Sequence, residues 1–383
     1  MTEFEVLEPG LLTTVQDLGR RYHQRFGVPV SGAMDMYASR IVNSLLCNDE
    51  QAAVLEITLI GPKLRFKNDS VIALAGADLA PRINGSSVET WKVLKVPANG
   101  ILTFDGPLRG TRTYLGVPGG IDIPLVMGSR STYMGARLGG MDGRSLKKGD
   151  LLAGSNRESF ASPVGTAVPI EYIPVIHENP KVRILLGPQD DAFTENGITT
   201  FLSSTYTVSQ LSDRVGYRLE GPAIEHKDGA DILSDGIPFG AIQVSGNGQP
   251  LILMADRGVT GGYTKIGVVI TADIWKIAQS LPGDQINFVA TDYTDALHAM
   301  RDWEKGIREI KESAIGSREE KKNSGLGMRI TAEGEHFEVF DGQGIQISTK
   351  EDIKGISLQT RRILKATVSG ETYNFDIDIE KSA

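Results

Sequence analysis

Four polar clusters hold most of the side chains in this sequence that could do chemistry. The first, TTVQDLGRRYHQRFGVPVSGAMD (13–35), gathers Gln16, Asp17, Arg20, His23, Ser31 and Asp35 in one Gly-punctuated stretch with few strand-like features. Irregular stretches of this kind often carry function. The second, GSRSTYMGARLGGMDGRSLKKGD (128–150), sets Ser129, Arg130, Ser131, Thr132 and Tyr133 between glycines, with hydroxyl and guanidinium groups suited to a carboxylate or phosphate. The third, SDRVGYRLEGP (212–222), offers Asp213, Arg214, Tyr217 and Arg218. In the fourth, ADRGVTGGYTKIG (255–267), Asp256 and Arg257 end an apolar strand and precede Thr260, Gly261, Gly262, Tyr263 and Lys265. A charged pair at a strand exit, followed by a Gly-Gly loop, sets reactive groups on a rigid scaffold. Each cluster also has a purely structural reading: Asp–Arg ion pairs, a helix cap at Asp35, a turn with a surface Arg, and a hairpin turn.

The familiar catalytic signatures are missing. The sequence has no GxxxxGK[ST], HExxH, paired CxxC or GxSxG. Its five histidines, at 23, 177, 226, 298 and 336, lack metal-ligand spacing, so no metal site is expected. Cys47 lies in an apolar helical pattern and reads as a small hydrophobe rather than a nucleophile.

The elements that must position these groups are mostly short strands. Of 383 residues 44 are Gly, above the usual ~7% and dispersed, as many tight turns require. The runs at 71–79, 101–106, 113–120, 182–187, 250–258 and 286–290 read as strands, several apolar enough to be buried on both faces. Helices are expected at 34–48, within 268–284 and at 292–313, the last an amphipathic surface helix. The charged and Gly-containing segment 316–327 reads as a linker, and 328–383 as a small β-rich appendage. A further boundary is expected near 155–180. A weak internal echo pairs GVPVSGA (27–33) with GIPFGA (236–241), and GSRSTY (128–133) with LSDRVGY (211–217).

Lys and Arg number 40 against 48 Asp and Glu, a formal net charge of −8 that argues against nucleic-acid or anionic-membrane binding. A single Cys excludes an internal disulfide, and no apolar run reaches the ~18 residues of a membrane span. The acidic start lacks a signal-peptide pattern, so a soluble cytoplasmic protein is expected.

Taken together, PGLLTTVQDLGR (9–20), GVPVSGAMD (27–35), AVLEITLIGPKLRF (53–66), VPGGIDIPLVMGSRSTY (117–133), LLGPQDDAF (185–193), LSDRVGYRLEGP (211–222), SDGIPFGAIQV (234–244) and 255–288 closely resemble the KipA/PxpC family. Its members are the C subunits of bacterial 5-oxoprolinases, similar also to the carboxyltransferase region of urea carboxylase. The resemblance implies a mainly β fold of two tandem cyclophilin-like β-barrel domains, 1–165 and 180–315. It implies partner subunits A and B, the latter KipI-like, and an ATP-dependent lactam hydrolase that opens 5-oxoproline to glutamate only as a complex. Its alternatives are a carboxyltransferase moving CO2 from carboxybiotin to a urea-like amide, and a regulatory module antagonising a KipI-like kinase inhibitor.

Two departures stand out: Gly258 and Val259 replace the Gln and Thr usual after the Asp-Arg pair, and GRRYHQRFG replaces a segment that usually has Gly two places after Gly-Arg. The tail 366–379 resembles the opening strand of biotin carriers but lacks the Ala-Met-Lys-Met that would take covalent biotin. Within this scheme Asp17 or Asp256 is cast as general base, and Tyr263 and Gln16 as donors to the carbonyl oxygen. Arg20 and Arg214 are cast on anionic groups, with Ser31, Arg130 and Thr260 as further substrate contacts.

Overall fold

The computed structural model describes residues 2–155 and 162–324, the side chains as far as residue 316, and six strands between Gly327 and Asp376. Its first strand, Glu3–Glu8, shows how the sequence dictates layering. Phe4 and Val6 are fully buried, while Glu3, Glu5 and Glu8 alternate outward beside Lys67, Arg65 and Lys63 of the neighbouring segment. This strand belongs to a six-stranded sheet in the order Leu151–Ala153, Glu3–Glu8, Lys63–Phe66, Ile101–Phe104, Pro81–Ile83 and Ser86–Ser87. A five-stranded sheet follows the order Leu12–Gln16, Val54–Thr58, Arg109–Gly116, Ser70–Asp78 and Lys92–Val96. Phe4, Leu64, Phe66, Leu55, Ile57, Leu74 and Leu115 from both sheets share one core.

The five-stranded sheet is covered on its other face by the helix Met36–Leu45, two or three residues shorter at each end than expected. Asp35 caps it by accepting the Ala38 N–H at 3.0 Å. Tyr37, Ile41, Val42 and Leu45 pack there with Val54, Ala73, Ala75 and Val93, and so do Ile307 and Ile310.

The second half closes. Strands Lys181–Leu186, Lys265–Val269, Ala241–Val244, Pro250–Leu253, Gly216–Glu220, Thr205–Val208 and Gln285–Ala290 form a seven-stranded barrel, sealed where the first and last run parallel. Branched aliphatic and aromatic side chains fill it, among them Ile184, Phe201, Tyr206, Ile242, Ile252 and Phe288. Met34, from the first half, belongs to this same cluster. A two-stranded ribbon, Asp231–Gly236 with Thr260–Tyr263, lies outside the barrel.

The mainly β architecture expected from the sequence is present, and all six strand-like runs contain strands. The two halves differ in closure. Among the described residues no ladder joins the six- and five-stranded sheets of the first half, which meet through side chains instead. Both halves form one compact unit, Met1–Ala314. The helix expected over 292–313 runs Tyr293–Ser324, through most of the segment read as a linker. Glu, Lys and Arg are good helix formers, so a charged run can extend a helix already anchored by Trp303, Ile307 and Ile310. The second unit, Ile315–Ala383, contains two three-stranded antiparallel sheets. No helix among the described residues is long and apolar enough to cross a membrane.

Candidate functional site

Where strand Leu12–Gln16 ends, Asp17 turns into the segment that carries the second polar cluster. Its carboxylate accepts from Gly19 N at 2.8 Å, Ser129 Oγ at 2.7 Å, Arg130 N at 2.6 Å and Ser131 Oγ. Both oxygens are thereby engaged within the first half. Gln16 donates through Nε2 to Thr14 Oγ1 at 3.0 Å and to the Thr132 carbonyl at 3.1 Å, leaving Oε1 buried without a partner among the described residues. Arg20 is 1% exposed; Nη2 donates to the Ser131 carbonyl at 2.5 Å and Nε to Val126 O at 3.4 Å, while buried Nη1 has no partner among the described residues. Burial lowers the Arg20 pKa, and the fields of Asp17 and Asp256 pull in the opposite direction.

A second charged chain crosses between the halves. Arg214 donates Nε to Asp256 Oδ2 and Nη2 to Oδ1, each at 3.0 Å, a bidentate pair. Nη2 also reaches the Gly32 carbonyl at 2.7 Å, and Nη1 donates to Glu56 Oε1 in the first half. Burial would lower the Arg214 pKa, but Glu56 and Asp256 outweigh it and hold the guanidinium charged, well above its ordinary value. The other Glu56 oxygen takes the Met34 N–H at 2.8 Å and the Tyr114 hydroxyl at 2.7 Å. Burial, with Glu56 and Asp35 beside it, raises the Tyr114 pKa well above the usual phenol value.

Ser31 ties the two clusters together. Its Oγ lies 2.6 Å from Asp256 Oδ1 and 2.9 Å from the Thr132 carbonyl. A hydroxyl has one proton to give; the carboxylate is the stronger acceptor, and Gln16 already serves Thr132 O. Ser31 holds φ at 57°, a left-handed conformation uncommon outside Gly and Asn, with its N–H on the Ala255 carbonyl at 3.1 Å.

Ser31 also lines a cleft of about 470 Å3 between the halves. The first half contributes Leu18, Arg21, Tyr22, Gln24, Val30, Ala33 and Met36, and the second contributes Phe239, Arg257, Thr271 and Ile274. Arg257 is half-buried, donating Nε to Ile237 O at 2.9 Å and Nη1 to Met254 O at 3.2 Å, with its guanidinium 5.2 Å from the Phe239 ring centre. Burial lowers the Arg257 pKa to about 10. A larger hollow of about 650 Å3, around Arg109, His177 and Asp284, is lined by none of the residues cast in catalysis. Among the described residues no group of three His, Cys, Asp or Glu side chains could hold a metal ion.

Of the residues singled out from sequence, Gln16, Asp17, Arg20, Ser31, Arg214 and Asp256 come together in this buried network. Arg130 joins it only through its backbone N–H, for its guanidinium turns to the Ile123 carbonyl at 2.7 Å. Thr260 and Tyr263 stand apart on the exposed ribbon. Four of the five Arg214 N–H groups go to two carboxylates and a carbonyl, and its charge is already met by Asp256 and Glu56 rather than by an anionic ligand. Sequence reading passed over Glu56, Arg21 and Phe239, and noted Arg257 only as half of a charged pair at a strand exit. One signal was available for Phe239: in the echo of GVPVSGA and GIPFGA it stands opposite Val30, and both line the cleft.

Known proteins resemble this chain along most of its length. The family model described as "Carboxyltransferase domain, subdomain A and B" matches residues 26–290. The 5-oxoprolinase C subunit of Escherichia coli is 37% identical over 308 residues, which are 80% of this chain and 97% of that protein. The urea amidolyase of Lachancea kluyveri is 34% identical, covering 83% of this chain but 18% of its own length. The crystal structure of the K. lactis urea amidolyase superposes with a TM-score of 0.76 at 30% identity, over 96% of this chain and 23% of that one. Because the matched stretch takes in most of both β halves and the Ser31, Glu56, Arg214 and Asp256 network between them, the chain is a member of the carboxyltransferase subdomain A and B family.

Proposed function

We propose that this chain is the C subunit of an ATP-dependent 5-oxoprolinase, which opens the lactam of 5-oxoproline to glutamate together with subunits A and B in the cytoplasm. The observation that carries the reading is the Ser31–Asp256 hydrogen bond at 2.6 Å, reached from a cleft built by both halves. Within the complex, ATP supplies the activation that an unstrained amide carbonyl needs before water can attack. The base is given to Asp256 rather than Asp17, whose oxygens are spent on four donors away from the cleft. A water in the cleft hands its proton to Ser31 Oγ as Ser31 hands its own to Asp256 Oδ1, and Arg214 holds that carboxylate in place from the far side. The Ser31 N–H and the left-handed turn fix the hydroxyl without relying on the ligand.

Mixing the purified chain with subunits A and B, ATP and 5-oxoproline tests the reading by the glutamate formed. No glutamate from a correctly assembled complex would overturn it. The family description and the likeness to urea amidolyase favour a second reading, carboxyl transfer from carboxybiotin on a separate carrier. A biotinylated protein co-purifying with the chain would mark that case.

A further inference from the structure

We propose that Arg257, assisted by Arg21, is the anchor for a substrate carboxylate, and that the cleft therefore selects small monoanionic lactams or amides over uncharged ones. The inference rests on the reading of the cleft as the substrate site. Two guanidinium groups line it and no acidic side chain does, in a protein whose formal net charge is −8. The local sign of charge is thus opposite to that of the chain.

Most other buried or half-buried arginines mark the contrast, the exception being Arg20, which is held by the Ser131 and Val126 carbonyls. Arg214 is paired with Asp256 and Glu56, Arg183 with Asp273, Arg40 with Glu50 and Glu304, and Arg144 with Asp150. Neither Arg257 nor Arg21 has an ion pair among the described residues. Arg257 is oriented instead by two backbone carbonyls and the face of Phe239, partners that fix its direction without cancelling its charge. Its remaining nitrogen, Nη2, makes no hydrogen bond among the described residues. A half-buried guanidinium left unneutralised costs folding free energy, and an arriving carboxylate recovers it.

The rest of the lining suits what would be attached to that carboxylate. Val30, Met36, Phe239 and Ile274 give an apolar wall for ring methylenes, and Ser31 faces the same space with Asp256 behind it. A urea-like molecule has a carbonyl but no anionic group for Arg257. Such a ligand would leave the cation desolvated and unpaired, which is how a polar site rejects the analogue lacking one group.

The test compares 5-oxoproline with 2-pyrrolidinone, the same ring without its carboxylate, and with inorganic phosphate. Binding to the full chain is measured by calorimetry, and KM and kcat in the complex with subunits A and B. The full chain should prefer 5-oxoproline over 2-pyrrolidinone by about 100-fold, the scale of one charge-assisted hydrogen-bonded contact. Arg257→Gln should bring the two within a few-fold and raise KM far more than it lowers kcat; Arg257→Lys should restore part of the preference, and Arg21→Gln should lose a smaller part.

Preference unchanged in a folded Arg257→Gln protein overturns the proposal. Should that variant fail to fold, an unchanged preference in both Arg257→Lys and Arg21→Gln does the same. Phosphate binding as tightly as 5-oxoproline also overturns it, since the site would then take a phosphoryl group. The two readings fail separately. A complex that forms glutamate with KM unmoved in Arg257→Gln removes the anchor alone, whereas charge preference in a chain whose complex forms no glutamate removes the 5-oxoprolinase reading alone.

Discussion

The Ser31 hydroxyl donates to Asp256 Oδ1 at 2.6 Å, although 225 positions separate the two residues in the chain. The bond joins an irregular loop of the first half to a strand exit of the second. It also gives Asp256, which does not itself line the cleft, a route to it. Replacing Ser31 by Gly separates chemistry from stability. Gly loses the hydroxyl but accepts φ of 57° without strain. The melting temperature should therefore hold or rise while kcat in the complex falls by about 100-fold or more, the scale of a lost proton-transfer partner. A kcat within two- or three-fold of the parent (roughly the noise of such a comparison) would remove Ser31 and Asp256 from the chemistry.

Glu56 sits on strand Val54–Thr58 of the first half and pairs with Arg214 of the second; both side chains are nearly inaccessible. Removing one member of a buried pair leaves the other charge uncompensated. Glu56→Gln should cost about 3 kcal/mol in urea unfolding, with the slope against urea unchanged. A loss of only a few tenths of a kcal/mol, the size expected at an exposed pair, would show that Asp256 alone suffices for Arg214.

Gln279 uses every hydrogen-bonding position of its amide across the halves. Oε1 accepts from Thr111 N at 3.0 Å and Arg112 N at 2.9 Å, while Nε2 donates to Asp35 Oδ2 at 2.8 Å and Arg112 O at 2.9 Å. Burial raises the Asp35 pKa, and the Gln279 hydrogen bond works against that rise. Gln279→Leu should cost about 3 kcal/mol or more by orphaning several buried groups. Gln279→Glu should do worse near pH 7 and recover in acid. A buried carboxyl with a raised folded pKa binds its proton more readily folded than unfolded, so stability grows as pH falls through that raised value. Urea midpoints for the two variants at pH 5 and pH 8 would decide this, and parallel curves would count against it.

Asp273 gives the opposite sign. Burial would raise its pKa, but Arg183, through N at 2.8 Å and Nη2 at 2.7 Å, and Lys276 at 3.0 Å lower it below the ordinary carboxylate value. The stabilisation is present above the unfolded carboxyl value near pH 4 and is lost as pH falls through the lower folded one. Asp273→Asn should be less stable than the parent by about 2 kcal/mol at pH 6, and the gap should be narrower at pH 3. A gap of equal size at both pH values would show that the loss is not electrostatic.

How much of this was legible in the sequence follows from what local pattern encodes. The apolar runs that became Ser70–Asp78 and Lys181–Leu186 announce strands because small and branched apolar side chains dominate them, with Arg183 the one charged residue inside the second. The Asp-Arg pair at 256–257 announces a strand exit for the same reason. Which member of that pair is neutralised was not legible, because the partners of Asp256 lie 42 and 225 residues away. Nothing local in the sequence marks Glu56; its role exists only once a second half lies against that face. Closure of one half and not the other depends on which strand edges meet, and turn-rich composition is the same in both.

Met34 supplies the last point. It belongs to the first half by sequence, yet its side chain packs into the apolar cluster of the second, and its own N–H is the one that Glu56 accepts. Cut from the protein, the barrel would keep a hole where that thioether sits, at a cost on the order of 2–5 kcal/mol. Severing the polypeptide in the connection between the sheets should thus yield two fragments that are soluble and structured only when co-produced, so that the active cleft is inherited by the pair and by neither piece.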